Sequence, residues 1–168
     1  KDIGLIKEVG IHPIIVHGGG PQIGERLKLK NIQSKFVEGL RVTDKEIIKV
    51  VEEVLSKDIN KEIVDSINES GAKAVGLSGN QNNLIKADKL QVEVKDTDSN
   101  IEKLVDIGFV GQPLNVNIEL IMSYVNNGEI PVIAPLGQDS QNNCYNINAD
   151  TAAGFIAGQI KASKLLLL

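Results

Sequence analysis

Several common protein classes are excluded by what this sequence lacks. Cysteine occurs once, as Cys144, so no internal disulfide can form and the chain fits a reducing compartment. No apolar run approaches the roughly 18–20 residues that a membrane-spanning helix requires. Lysine and arginine number 18 against 22 acidic residues, a net charge of −4, which leaves no basic footprint for nucleic acid. Secretory and transit signals, internal repeats, low-complexity tracts and linkers are also missing. The reading is a cytoplasmic protein, with a plastid location left open, that binds neither membrane nor nucleic acid.

What remains is the material of a globular domain. The 168 residues are 42% hydrophobic and 24% charged, enough for one real core. Residues 1–10 read as a helix tail with Ile3, Ile6 and Val9 on one face and Gly10 closing it. His12 to His17 read as a buried strand. Thr43 is the expected cap of a helix carrying Ile47, Ile48, Val50, Val51, Val54 and Leu55, with Glu46 completing a capping box. A second helix is expected over 59–70, a strand over Ala72 to Leu77, and antiparallel strands between 84 and 112. Asn117 is expected to cap a helix that ends at Gly128. A strand follows over Ile130 to Ala134, then a helix from Asn148 to Ile160. This alternation predicts an α/β fold, a three-layer αβα sandwich with a mainly parallel sheet and an antiparallel excursion near its middle. Both ends read as cut, because a helix tail opens the chain and Leu165 to Leu168 start a strand.

The densest chemical signal is "PIIVHGGGPQIGERL", where a strand passes through Gly18, Gly19 and Gly20 into a helix. Glycine allows close approach to the main chain, and Pro21 suits a first helical turn. The unpaired N–H groups of that turn suit an anion, typically phosphate. A tight turn without a ligand would need fewer glycines. A P-loop would carry lysine after Gly24, where Glu25 stands, and a dinucleotide fingerprint would want glycine at Ile23. "GLRVTD" adds Arg41, whose guanidinium can grip a carboxylate with two parallel bonds, or serve as a surface charge. "YNINADTAAG" places Asn146, Asn148 and Asp150 before a helix, more polar groups than one cap requires. His17 is read as part of the strand end, not as a general base. Cys144 is read as packing, since no His-plus-acid pattern supports a nucleophile.

At these residues the chain resembles the amino acid kinase family, and within it the acetylglutamate kinase branch. "VHGGGPQI", "FVEGLRVTD", "NKEIV", "AVGLSG", "VDIGFVGQ", "IPVIAPLG" and "YNINADTAAG" follow that branch in order along almost the whole chain. The resemblance implies transfer of the γ-phosphoryl of ATP, bound with Mg2+, to the side-chain carboxylate of N-acetyl-L-glutamate, a step of arginine biosynthesis. It implies that Gly18, Gly19 and Gly20 face the transferring phosphoryl group and substrate. Arg41 and Asn146 would bind the substrate α-carboxylate, and Asp150 would orient catalytic lysines. The family's first strand, of the form KxGG, has no counterpart in these residues, nor does most of the nucleotide-binding half with its second lysine. Residues 1–168 are therefore expected to be one amino acid kinase domain, incomplete at both ends, with little turnover as an isolated chain. A homodimer or higher homo-oligomer is implied by the family. Some surface segments resemble members regulated by the nitrogen-sensing PII protein, a partner no particular residue supports. A sister kinase acting on an acylated aminoadipate and a non-catalytic module that binds an acidic metabolite remain as alternatives.

Overall fold

The computed structural model describes residues 2–95 and 102–168. Its elements run α1 (Asp2–Glu8), β1 (Ile15–Val16), α2 (Gly20–Leu29), β2 (Phe36–Val37), β3 (Leu40–Arg41) and α3 (Lys45–Glu53). A π-helical turn, Val54–Ile59, then leads into α4 (Asn60–Glu69), followed by β4 (Ala74–Ser78), β5 (Ile85–Lys95) and β6 (Glu102–Val116). The remaining elements are α5 (Ile118–Asn126), β7 (Ile130–Ala134), β8 (Leu136–Gln138), β9 (Cys144–Asn146) and α6 (Ala149–Gln159).

Three parallel strands in the order β1-β7-β4 form the centre. The middle strand, Ile130 to Ala134, is buried throughout, as its unbroken apolar run requires of a strand covered on both faces. Ile130 and Val132 pack with Ile67 of α4, against which Ile3 of α1 also rests. Ile133 and Leu77 on the opposite face meet Ile121 and Val125 of α5 and Ala152 and Ile156 of α6. Helices therefore cover both faces of the parallel sheet, which is the three-layer arrangement.

The antiparallel excursion is larger than its sequence signal. The strands β5 and β6 pair from Ile85↔Val116 to Lys95↔Glu102, and with β8 and β9 they close into a small barrel. Pro113, which cannot donate to a ladder, lies at one of the two register shifts in that long hairpin. Parallel β1 and β7 end at the glycine triplet and at Pro135, so their carboxyl ends open onto the space between sandwich and barrel.

Several local expectations change. The helices expected near 45–55 and 59–70 are one continuous helical run, joined by the π turn. The cap of α3 is Asp44, not Thr43: its Oδ1 accepts from the N–H groups of Glu46 and Ile47, each at 2.9 Å. A carboxylate is favoured there by the helix dipole, and Thr43 is instead fully buried. Only Ile15 and Val16 of the expected His12–His17 strand pair as a strand, in register with Val132 and Ile133. Ile6 and Val9 are exposed, so α1 uses Ile3 alone from its expected apolar face. Leu165 to Leu168 are exposed and form no strand.

Candidate functional site

The site grows from two turns. The first follows β1, where Gly19 caps α2 with an extended backbone. A Cβ on Gly19 would lie 2.5 Å from Ile59 Cδ1 and 2.7 Å from Leu55 Cδ2, so this glycine lets the π turn pack onto the loop. A Cβ on Gly20 would meet nothing, and one on Gly18 only Ala149 Cβ at 3.8 Å. The triplet thus divides between internal packing at Gly19 and open space at Gly20. Among the described residues, none accepts from the N–H groups of Gly18, Gly19 or Gly20.

The second turn is the hairpin of β2 and β3. Its two central residues, Glu38 and Gly39, have φ of 46° and 76°, as a tight two-residue turn between twisted strands demands. Register then sets Phe36 opposite Arg41. The Arg41 guanidinium lies over the Phe36 ring, 4.7 Å from its centroid, donates to Gly20 O at 2.9 Å, and donates to Ser34 Oγ. Behind it Thr43 Oγ1 donates to Arg41 O at 2.7 Å, while the Thr43 backbone bonds to Ile107 and Phe109 of β6. The arginine is therefore anchored at its backbone and held over the glycine loop at its tip.

These turns line one cleft of about 190 Å³. Gly18, Gly19, Gly20, Phe36, Arg41, Asn146, Asn148 and Ala149 border it, and among the described residues no acidic one does. Arg41 is only 9% exposed, and its partners are a carbonyl, a hydroxyl and an aromatic face. Burial lowers the pKa of its guanidinium, which still stays charged. The amino ends of α2 and α6 meet at the same cleft, adding two partial positive charges. A buried cation and two helix amino ends, with no anion among the described lining residues, are chemically suited to an anionic ligand.

A larger cleft of about 450 Å³ between α3 and β4 has a different character. Lys49, Lys57, Glu52 and Glu53 give it both signs of charge, and Ser56, Ser78, Asn80 and Glu52 bond to one another across it. Its hydroxyl and amide groups bond to one another and its charges are of both signs, whereas the smaller cleft presents a single buried cation, so the smaller cleft is the candidate site.

The sequence-predicted residues fall into place unevenly. Gly18, Gly19, Gly20, Arg41 and Asn146 share the cleft. The cap of α6 is Asn148, whose Oδ1 accepts from Thr151 N at 2.9 Å; Asp150 is exposed in the first turn, outside the lining residues, and pairs with no cation among the described residues. Burial pushes the Cys144 thiol up to about 12, so it stays protonated and no nucleophile. Phe36 and Ser34 escaped the sequence reading, because only the hairpin register brings them to Arg41. Among the described residues no group of three or more His, Cys, Asp or Glu side chains is arranged to hold a metal. No described helix is long and apolar enough to cross a membrane.

The chain belongs to the amino acid kinase family, whose model it matches over residues 1–168. Among curated relatives it is 54% identical over 168 residues to the acetylglutamate kinase of Rhodospirillum centenum, covering all of this chain and 55% of that protein. It is 52% identical over 167 residues to the acetylglutamate kinase of Gluconobacter oxydans, covering 99% of this chain and 57% of that protein. The chain thus spans little more than half the length of these relatives. Among solved structures it is similar to smu.665 from Streptococcus mutans, with 28% identity and a TM-score of 0.84 over 99% of this chain and 63% of that one. N-acetylglutamate synthase from Neisseria gonorrhoeae, solved with coenzyme A and N-acetyl-glutamate, shares the fold at 21% identity, with a TM-score of 0.76 over 98% of this chain and 35% of that one.

Proposed function

We propose that this chain is the substrate-binding part of an acetylglutamate kinase, which transfers the γ-phosphoryl of ATP to the side-chain carboxylate of N-acetyl-L-glutamate. The observation that carries this reading is Arg41, buried beside the glycine loop with no acidic partner among the described residues. Relatives at 54% and 52% identity bearing that enzyme's name support the choice of substrate.

The chemistry follows from the groups present. A glutamate-type carboxyl has an ordinary pKa of about 4.3, so the nucleophile is ionised at neutral pH and needs no general base. The obstacle is to bring two anions together and to stabilise charge during in-line transfer. Arg41 and Asn146 hold the substrate α-carboxylate at the hairpin side of the cleft. The free N–H groups of Gly18, Gly19 and Gly20 face the transferring phosphoryl group, where donors aimed at developing charge lower the barrier. Asp150 orients the lysines that the family uses to neutralise the phosphates. Mg2+ is taken to arrive with the nucleotide, bound to its phosphates. The working assembly is a homodimer or higher homo-oligomer in the cytoplasm.

The test uses the protein at the full length of its relatives, supplied with Mg-ATP. An acyl phosphate is trapped by hydroxylamine, so a hydroxamate of N-acetyl-L-glutamate is the expected product. Product only from an acylated aminoadipate would move the assignment to a sister kinase. Acetylglutamate binding without product from any acyl amino acid would leave a binding module.

A further inference from the structure

The segment "NKEIV" begins with a polar residue placed where the helical pattern expects an apolar one. Asn60 is 4% exposed, flanked by the core residue Ile59 and followed by Ile63. It sits there because of the π turn. The Asn60 N–H bonds back to Leu55 O, five residues earlier, which widens the helix and brings Leu55, Ile59 and Asn60 toward the same side. Leu55 and Ile59 lie against Gly19. Asn60 reaches past them into the sheet.

Its amide has a determined orientation. Asn60 Nδ2 donates to Val132 O at 2.9 Å and lies 3.2 Å from His17 Nε2. Exchanging the amide oxygen and nitrogen would set one acceptor against the Val132 carbonyl, so Nδ2 is the atom that faces both groups. Asn60 Oδ1 lies over Gly76, where a Cβ would come within 2.1 Å of it, so that glycine keeps the seat open. With a donor facing Nε2, the neutral imidazole of His17 carries its proton on Nδ1, which is 3.0 Å from Gly18 O. The imidazole is 7% exposed, and burial holds its pKa below the ordinary histidine value.

We propose that Asn60, carried inward by the π turn, is a positioning residue for the glycine loop. Its amide fixes His17 as the Nδ1–H tautomer, and that proton ties back the Gly18 carbonyl. The Gly19 N–H, which shares one planar peptide unit with that carbonyl, is thereby held in direction between the N–H groups of Gly18 and Gly20, both unbonded among the described residues. The consequence for phosphoryl transfer rests on the function proposed above; the tautomer does not.

The first measurement is long-range proton–nitrogen correlation on the 168-residue chain with 15N-labelled histidine. His17 is expected to show a protonated Nδ1 and a bare Nε2. A predominant Nε2–H form, or averaging between the two, would overturn the proposal whether or not any variant folds. Asn60→Asp replaces the donor by an acceptor of the same shape, so Nε2 should become protonated and the amide resonances of Gly18 to Gly20 should move. An unchanged Nδ1–H tautomer with unmoved glycine amides would also overturn it. At full length, Asn60→Asp should lower kcat by about 10- to 100-fold, the scale for misplacing reacting groups, with KM for acetylglutamate held within about threefold. A loss confined to KM, or to thermal stability, would contradict a positioning role. If the wild type makes no acyl phosphate while His17 keeps its tautomer, the functional reading fails and the anchoring of the loop stands.

Discussion

Arg26 and Arg41 sit at opposite ends of α2, and their surroundings differ in kind. Arg26, near the carboxyl end, meets Asp58 at 2.8 Å and Glu53 at 3.5 Å, with about a third of its side chain in solvent. Arg41 bonds to the first residue of the helix, Gly20, and among the described residues has only neutral partners and no acid lining its cleft. The outer arginine is complete as it stands and ties α2 to α3 and the π turn. The inner one has its desolvation cost offset by neutral groups alone, and an entering carboxylate would add the missing opposite charge. The contrast is between a cation paired by the fold's own acids and one whose described partners are all neutral, as the proposed ligand role requires.

The largest expected effect is on the inner arginine. Arg41→Ala should weaken N-acetyl-L-glutamate binding by ~2–5 kcal/mol, the range for breaking a desolvated charge pair, with apparent ATP affinity changing much less. Calorimetry and steady-state kinetics on the full-length protein check this. Equal losses for both ligands, or for neither, would erase the distinction between the two arginines.

Asp150 extends the comparison to an acid that has no cation among the described residues. Asn148 already caps α6, so Asp150→Asn should leave the melting temperature near wild type. If the aspartate orients lysine ammonium groups, kcat should fall by roughly 10²-fold or more, as when one preorganised electrostatic contributor is removed. An unchanged kcat would return Asp150 to the surface.

A smaller effect concerns His17. Burial, the larger influence, lowers its pKa in the fold, against the opposing pull of its bond to Gly18. The unfolded chain therefore binds a proton that the folded chain refuses as pH falls below about 6.5. Stability present above that pH is lost on acidification toward the folded value. Thermal melts between about pH 7.5 and 5 should fall more steeply for the wild type than for His17→Gln; parallel curves would mean that His17 titrates alike in both states.

The smallest effect belongs to the outer arginine. Arg26→Ala should cost about 0.2–1 kcal/mol of stability in denaturant titrations and leave acetylglutamate binding unchanged, because half-exposed pairs are weak. A marked loss of binding would show that the two ends of α2 are coupled.

How much of this was legible before the fold depended on the range of the signal. Local patterns carried far: the apolar run of β7, the Asn117 cap and the glycine turn can each be read within a few residues, whereas which of Asn146, Asn148 and Asp150 caps α6 needed the fold. Arg41, Asn146 and the glycine triplet were recognisable by type and by family resemblance, and the fold brings them to one cleft. The misreadings came from competition between neighbours and from pairing across the chain. Thr43 and Asp44 both suit a cap, and only the contacts of Thr43 with β6 take it out of that role. The polar Asn60 interrupts the apolar stripe, but nothing in the sequence of the π turn distinguishes an inward step from an ordinary exposed polar residue. Phe36 looked like an ordinary strand residue until register placed it under Arg41.

The most direct test compares two ligands on two proteins. N-acetyl-L-glutamate and its analogue with the α-carboxylate converted to an amide are titrated by calorimetry into the wild type and into Arg41→Ala. The wild type should prefer the diacid by about 1.5–3 kcal/mol, the worth of a hydrogen bond to a charged group, and the preference should vanish in Arg41→Ala. Equal binding of both ligands by the wild type, or a preference that survives the loss of Arg41, would contradict the assignment of this cleft to a carboxylate held by Arg41.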